Sequence, residues 1–444
     1  MTKNSLKLEL RKLVVPLMVE TLLVMMLGLT DTIMLGQYSD NAVAAVGMVN
    51  QILSLVLLLF TIISIGTSVL CSQYLGAGRR TRMIQVTGVS LLLNLVLGLG
   101  MSGLLYVAAH PILSFMGMRD ELMQYGLVYL QIVGGFVFTQ AITNTVSASL
   151  RAENKVVYPM LVIAITNLLN ILGNYTLIFG HFGCPSLGVM GAGISTSISR
   201  VVAMLVILII MQRKHISSFP MRLFRPFPFK ELRNLLKIGL PSAGENISYN
   251  LQQLTLLYFI NYISNEALAT RTYVVNVVMF VYMFAICMAN GGSIVIGHLV
   301  GQQRYRAAFV TGRYVWRWAA MVSVVFSFVC ALCGPWIMNA LTDNEEIIRL
   351  GCIVLWIDLL LEAGKSINIY ATNALRATGD VMFPFYLGVI AQWGLGVFLG
   401  WLFGIYFGWG LIGMWFAFVL DEDIRGAIFI ARWNSMKWAH KGFC

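Results

Sequence analysis

Pro16-Leu-Met-Val-Glu20 opens the first long apolar run of this 444-residue chain, and Pro241-Ser-Ala-Gly-Glu245 opens another 225 residues later. The same offset holds outward from these two stretches. The turn Ser39-Asp-Asn-Ala42 returns as Ser264-Asn-Glu-Ala267, Gly66 and Gly76 as Gly291 and Gly301, Leu150-Arg151 as Leu375-Arg376, and Pro159 as Pro384. The register slips only near Pro111/Pro335 and after Gly180. The chain is therefore a tandem duplication. Duplicated, strongly apolar chains suit transport, because two similar lobes can rock about a site between them.

Composition places both copies in a membrane. Hydrophobic residues make up 58 % of the chain and charged residues 11 %, with a mean hydropathy of +0.80; a soluble domain carries about 25 % charge. A helical span needs about 20 mostly apolar residues. Twelve such stretches are expected near 11–37, 43–71, 83–109, 122–147, 156–180, 189–212, 233–262, 268–298, 312–334, 347–371, 381–406 and 410–432. Their length excludes barrel strands, which alternate over only about 10 residues. The expected fold is all-α and integral to the membrane, with twelve transmembrane helices in two pseudo-symmetric six-helix lobes. The N-terminal lobe is expected over 1–212 and the C-terminal lobe over 233–444. A basic linker, 213–232, carries Pro220, Pro226 and Pro228. Pro16 and Pro241 are expected in the first turns of their helices, where a missing N–H matters little.

The net charge of +11 does not indicate a nucleic-acid partner. With a cytoplasmic N-terminus, 23 of the 30 Lys and Arg fall in cytoplasmic segments and only Arg119 and Arg349 in external loops. That asymmetry follows the positive-inside rule and places both termini in the cytoplasm of a multi-pass inner-membrane protein. The basic segments meet anionic lipid heads. Cys330-x-x-Cys333 lies in an apolar run and is read as packing, and the five histidines show no ligand spacing. The first apolar run belongs to the repeat and is full length, so it is read as a span and not as a cleaved signal. No phosphate-binding G-x-x-x-x-G-K-[ST] loop is present, so transport would draw on an ion gradient. No catalytic constellation appears, and neither an enzyme nor a cofactor is expected.

Charges inside the spans carry the chemical signal, since each costs at least about 2.5–3.5 kcal/mol in hydrocarbon unless it meets a partner or a wet cavity. Glu20 and Asp31 lie on one face of the first helix, roughly 16 Å apart along its axis. Asn167, Asn170 and Asn174 share a face of the fifth span, and Thr196 lies in the sixth. Asp31 amid amides and a hydroxyl suits exchange of a proton or a hard cation, which favours oxygen ligands. In the second half Leu256 stands where the first has Asp31. There Asp358, Glu362, Lys365 and Asn368 share one face of the tenth span, and Lys365 has Glu362 or Glu245 as a candidate partner. The twelfth span holds Asp421, Glu422, Asp423 and Arg425.

Together these motifs resemble the multidrug and toxic compound extrusion (MATE) family over nearly the whole chain. The resemblance rests on Pro16…Gly28-Leu-Thr-Asp31-Thr-x-x-x-x-Gly36, on Gly66…Gln73-x-x-Gly76-Ala-Gly78 and on Asn170-x-x-x-Asn174…Gly180. It continues through Ile238-Gly-Leu-Pro241-Ser-x-x-Glu245, Glu362-x-Gly-Lys365-x-x-Asn368…Leu375-Arg376-Ala-x-Gly379-Asp380 and Arg432-Trp-Asn-Ser-x-Lys-Trp438. It implies export of organic cations and other amphipathic compounds, driven by inward H⁺ or Na⁺; separately, the chain is expected to be a monomer. The implied coupling site is Asp31, Asn170, Asn174 and Thr196. Many relatives have aspartate where this chain has Asn174, which leaves Asp31 the sole ionisable group there and tilts the reading towards H⁺. Lys365 stands near an acidic cation ligand of some relatives and speaks against a second Na⁺ site. The alternative is a flippase for a lipid-linked anionic precursor, with Arg200, Arg271, Arg317, Lys365 and Arg425 facing its phosphates.

Overall fold

The computed structural model describes residues 3–214, 225 and 227–444; Pro220, Arg222 and Pro226 of the basic stretch lie outside them. The first half forms α1 (Lys3–Tyr38), α2 (Asp40–Gly76), α3 (Arg80–Val107), the short α4 (Ala109–Phe115), α5 (Asp120–Tyr129), α6 (Phe138–Ala152), α7 (Val157–Phe179) and α8 (Val189–Lys214). The second forms α9 (Phe229–Ile263), α10 (Asn265–Gly301), α11 (Tyr305–Leu332), the short α12 (Gly334–Leu341), α13 (Glu345–Thr378), α14 (Met382–Ala391), α15 (Phe398–Trp401) and α16 (Gly410–Asn434). No strand occurs among the described residues. Wide π-turns at Leu130–Gly134, Gln392–Val397 and Leu402–Tyr406 interrupt the spans built from α5–α6 and α14–α15.

Among the described residues eight helices are long and apolar enough to cross a bilayer, and α5 with α6, bent by 45°, forms a ninth such segment. The three remaining long helices, α9, α13 and α16, have 35, 34 and 25 residues. They miss that apolarity because they carry the second half's polar chemistry. Asn246, Asn250, Gln252 and Gln253 lie in α9, Asp358, Glu362 and Lys365 in α13, and Asp421 to Arg425 in α16. With them the long helical segments among the described residues number twelve.

The chain divides into two compact units, residues 15–239 and residues 1–14 with 240–444. The divisions fall inside α1 and α9, not at the linker over 213–232. Each exchanged segment packs on a glycine of its own unit. A Cβ at Gly66 would lie 2.9 Å from the carbonyl oxygen of Leu235, and one at Gly291 would lie 3.0 Å from Val14. Gly66 and Gly291 are repeat equivalents, so both units use the same bare helix face. In the first unit α2 packs on α3, α5 and α6, and α7 on α8; in the second, α13 packs on α10, α11 and α16.

Pro16 and Pro241 do not sit in first turns. Both lie inside their helices, which begin earlier than the apolar runs because Leu6, Leu10 and Leu13 bury between the charges of Lys7, Arg11 and Lys12. An interior proline removes one helical hydrogen bond and crowds the preceding turn. Pro111, Pro159, Pro335 and Pro384 are the ones that fall in first turns.

Helices α13 and α16 approach closely at Gly364, where a Cβ would meet the Asp423 side chain and, at 2.8 Å, its backbone nitrogen. Gly364→Ala is expected to destabilise by about 1–3 kcal/mol, read as a lower unfolding temperature in detergent. Gly100→Ala, which meets nothing within 4 Å, is expected to leave that temperature unchanged or raise it.

Candidate functional site

In the first unit, α1, α7 and α8 assemble one hydrogen-bonded chain. Asn174 donates from its Nδ2 to Asp31 Oδ1 at 2.6 Å and to Asn170 Oδ1 at 3.0 Å, and Asn170 Nδ2 donates to Thr196 Oγ1 at 3.1 Å. The 3.6-residue period that puts Asn170 and Asn174 on one face of α7 aims both at α1 and α8. Ser195 Oγ donates to the Asn170 carbonyl at 3.0 Å and pins the α7–α8 contact. A side chain at Gly173 would collide with Ser195, so this glycine permits the approach. Asn170 and Asn174 are buried, Asp31 half-buried. All four sequence-predicted residues therefore meet. Asn167 does not join them; its Nδ2 donates to the Leu23 carbonyl at 2.6 Å.

Two further residues frame this chain. Arg200, one turn beyond Thr196 on α8, acts electrostatically on Asp31 without forming an ion pair within 4 Å among the described residues, and its Nη1 is buried with no hydrogen-bond partner. Tyr129, at the end of α5, faces Thr196 and Arg200. The i, i+4 spacing of Thr196 and Arg200 was the available sequence signal for the arginine. Nothing in the sequence pointed to Tyr129. For a cation, Asp31 and the buried, unpartnered Asn174 Oδ1 offer oxygen ligands.

Glu20 stands apart from the Asp31 cluster. It pairs with Arg151, and its repeat equivalent Glu245 pairs with Arg376 at 2.7 Å. Arg151 and Arg376, expected in cytoplasmic segments, lie in the last turns of α6 and α13 with their side chains paired to these acids. The signal was present, because Glu20/Glu245 and Arg151/Arg376 recur with one offset.

The second unit encloses a cavity of about 410 Å³, lined by Glu245, Asp358, Lys365, Asn368, Arg271 and Tyr249 among others. Its charges are mostly matched. Lys365 Nζ lies 2.8 Å from Glu362, not on Glu245, and sits 4.0 Å from the centre of the Tyr282 ring. Arg425 holds Asp421 and Glu422, each at 2.8 Å, and Asn368 donates to Glu422 at 2.5 Å. Asp358, fully buried, has no cation within 4 Å among the described residues. It accepts from Trp415 Nε1 at 3.3 Å through Oδ1, and its Oδ2 has no partner.

A sequence profile of the MatE family matches residues 16–176 and again residues 241–402. The chain belongs to the MatE family. The two matched segments begin at the repeat prolines Pro16 and Pro241, so the MatE unit is the duplicated half itself. The uncharacterized transporter YisQ of Bacillus subtilis is 39 % identical over 96 % of this chain and 94 % of its own. The probable multidrug resistance protein NorM of Thermotoga maritima is 26 % identical over 98 % and 93 %. Among solved structures, the MATE transporter VcmN of Vibrio cholerae, in its bent form, superposes with a TM-score of 0.90 at 18 % identity, covering 98 % of this chain and 97 % of that one. The chain is thus an all-α, multi-pass membrane transporter of the MatE family.

Removing one partner of a buried ion pair leaves an uncompensated charge. Arg376→Gln is expected to cost on the order of 3 kcal/mol, and Glu245→Gln/Arg376→Gln to recover most of it. Thermal unfolding of the single and double variants checks this; equal loss in both would mean that the pair itself is not the stabilising element.

Proposed function

We propose that this protein is a cation-coupled antiporter that exports amphipathic, mostly cationic organic compounds across the cell membrane. The observation that carries the reading is that Asp31, alone among the half-buried or buried carboxylates of the first unit's central helix turns, is held by an amide and not by an ion-paired base. Glu20 is already neutralised by Arg151. Asp31 is therefore the group whose charge an incoming ion or substrate can change.

The cycle follows from that placement. Outside, Asp31 takes up a proton, its bond to Asn174 weakens, and the site loses affinity for a cationic substrate. Inside, the proton leaves, the carboxylate again accepts from Asn174, and a new substrate binds. Coupling requires that ion and substrate favour different states; otherwise neither drives the other. Asn174 in place of a second carboxylate supports H⁺ over Na⁺, because one acid offers less charge to a cation that must shed its water. Asp358, buried beside the second cavity without an ion-paired base, is the second unit's corresponding titratable group.

The flippase alternative needs its cations gathered on one cavity. Lys365, Arg425 and Arg271 do line one cavity of the second unit, but Lys365 and Arg425 are taken up by acids there, and Arg317 lies in a different groove. This arrangement does not favour it.

Proteoliposomes loaded with a fluorescent organic cation test the proposal. Efflux is expected under an imposed pH gradient, to fall at least tenfold in Asp31→Asn, and to be unaffected by a Na⁺ gradient alone. Efflux undiminished in Asp31→Asn would remove Asp31 from the mechanism, and efflux driven only by Na⁺ would refute the H⁺ assignment.

A further inference from the structure

Arg317 has no place in the transport reading. It is exposed, yet it lies twelve residues beyond the start of α11, roughly 18 Å along the axis. A 28-residue helix extends about 42 Å, roughly 12 Å more than the roughly 30 Å hydrocarbon core, and its charges Arg306, Arg313 and Arg317 all lie in its N-terminal half, so the excess length belongs at that end. Arg317 therefore starts within the apolar layer, where a bare guanidinium is costly. No carboxylate pairs with it among the described residues, and its guanidinium lies 5.6 Å from the Trp316 ring centre.

Arg317 is not alone. One turn earlier Arg313 stacks over Phe309 at 5.6 Å, and Lys7 of α1 lines the same groove. Neither forms an ion pair among the described residues. The three cations line one groove of about 510 Å³ with Phe309, Val310, Tyr314 and Trp318, and no acid lines it. Val310 and Trp318 are 57 % and 41 % exposed, so apolar surface adjoins the cations. Long basic side chains bury their stems along such surface and lift the charged head towards the interface, where aromatic rings also concentrate.

We propose that this groove binds the phosphate of an anionic phospholipid, with Lys7, Arg313 and Arg317 as its ligands and the exposed faces of Val310 and Trp318 against the acyl chain. A guanidinium matches a phosphate with two parallel N–H···O bonds, and two guanidiniums one turn apart clasp it from one side. A lipid fits better than a free anion because the site opens on apolar surface part-way into a span. The groove shares no residue with the Asp31 cluster or with the second unit's cavity.

Native mass spectrometry of the full-length protein, released from detergent with added phosphatidylglycerol or phosphatidylcholine, tests this. Wild type is expected to retain one phosphatidylglycerol at least fivefold more than phosphatidylcholine. Lys7→Gln/Arg313→Gln/Arg317→Gln is expected to lose that preference, while Arg119→Gln/Arg349→Gln/Lys437→Gln, which removes the same charge from other exposed positions, is expected to keep it. Millimolar inorganic phosphate is expected not to displace the lipid. Equal retention of the two lipids, equal loss in both triple variants, or displacement by inorganic phosphate would each overturn the proposal.

Discussion

An ionised carboxylate inside a bilayer must find a cation, a set of donors or water, and this constraint orders the whole structure. Glu20 has Arg151, Glu245 has Arg376, Glu362 has Lys365, and Asp421 and Glu422 share Arg425. Two of these pairs join helices distant in sequence, α1 to α6 and α9 to α13, and the others lie within α13 and α16. Against this background Asp31 and Asp358 stand out. Each is held by a neutral donor, Asn174 or Trp415, and neither has a base within ion-pair distance among the described residues. A carboxylate satisfied by one neutral hydrogen bond gains less than one in an ion pair and is the easier to protonate or to pair with a passing cation. The proposed function is placed where the pairing is incomplete.

The duplication is kept where it bears load and broken where it does chemistry. The Glu–Arg pairs and the glycines Gly66 and Gly291 obey the repeat. Asp31 does not: its counterpart Leu256 is fully buried in the apolar core of the second unit. That unit instead carries its unpaired acid on α13, beside a cavity. Two similar halves thus present two different polar sites.

Much of this was legible in the sequence. All twelve long helices were, because run length and repeat register speak directly. The Asp31, Asn170, Asn174 and Thr196 cluster was legible because helical spacing put the amides on one face. The helix starts of α1 and α9 were not, since charged residues there alternate with leucines and hide the amphipathic turns that precede Pro16 and Pro241. The partners of Glu20 and Glu245 were missed because a basic residue at a helix end looks like a topology signal until its side chain is seen turning inward. The choice of Glu362 over Glu245 as the partner of Lys365 depended on packing that no periodicity encodes. Tyr129, contributed from a broken span, left no trace in the pattern.

The most direct test of antiport through Asp31 is the number of protons released when substrate binds. Purified protein in weakly buffered solution, titrated with tetraphenylphosphonium at a pH where Asp31 is partly protonated, is expected to release protons in wild type and none in Asp31→Asn, with affinity rising as pH rises. Binding that is independent of pH in wild type, with no proton release, would contradict exchange of proton and substrate at this carboxylate.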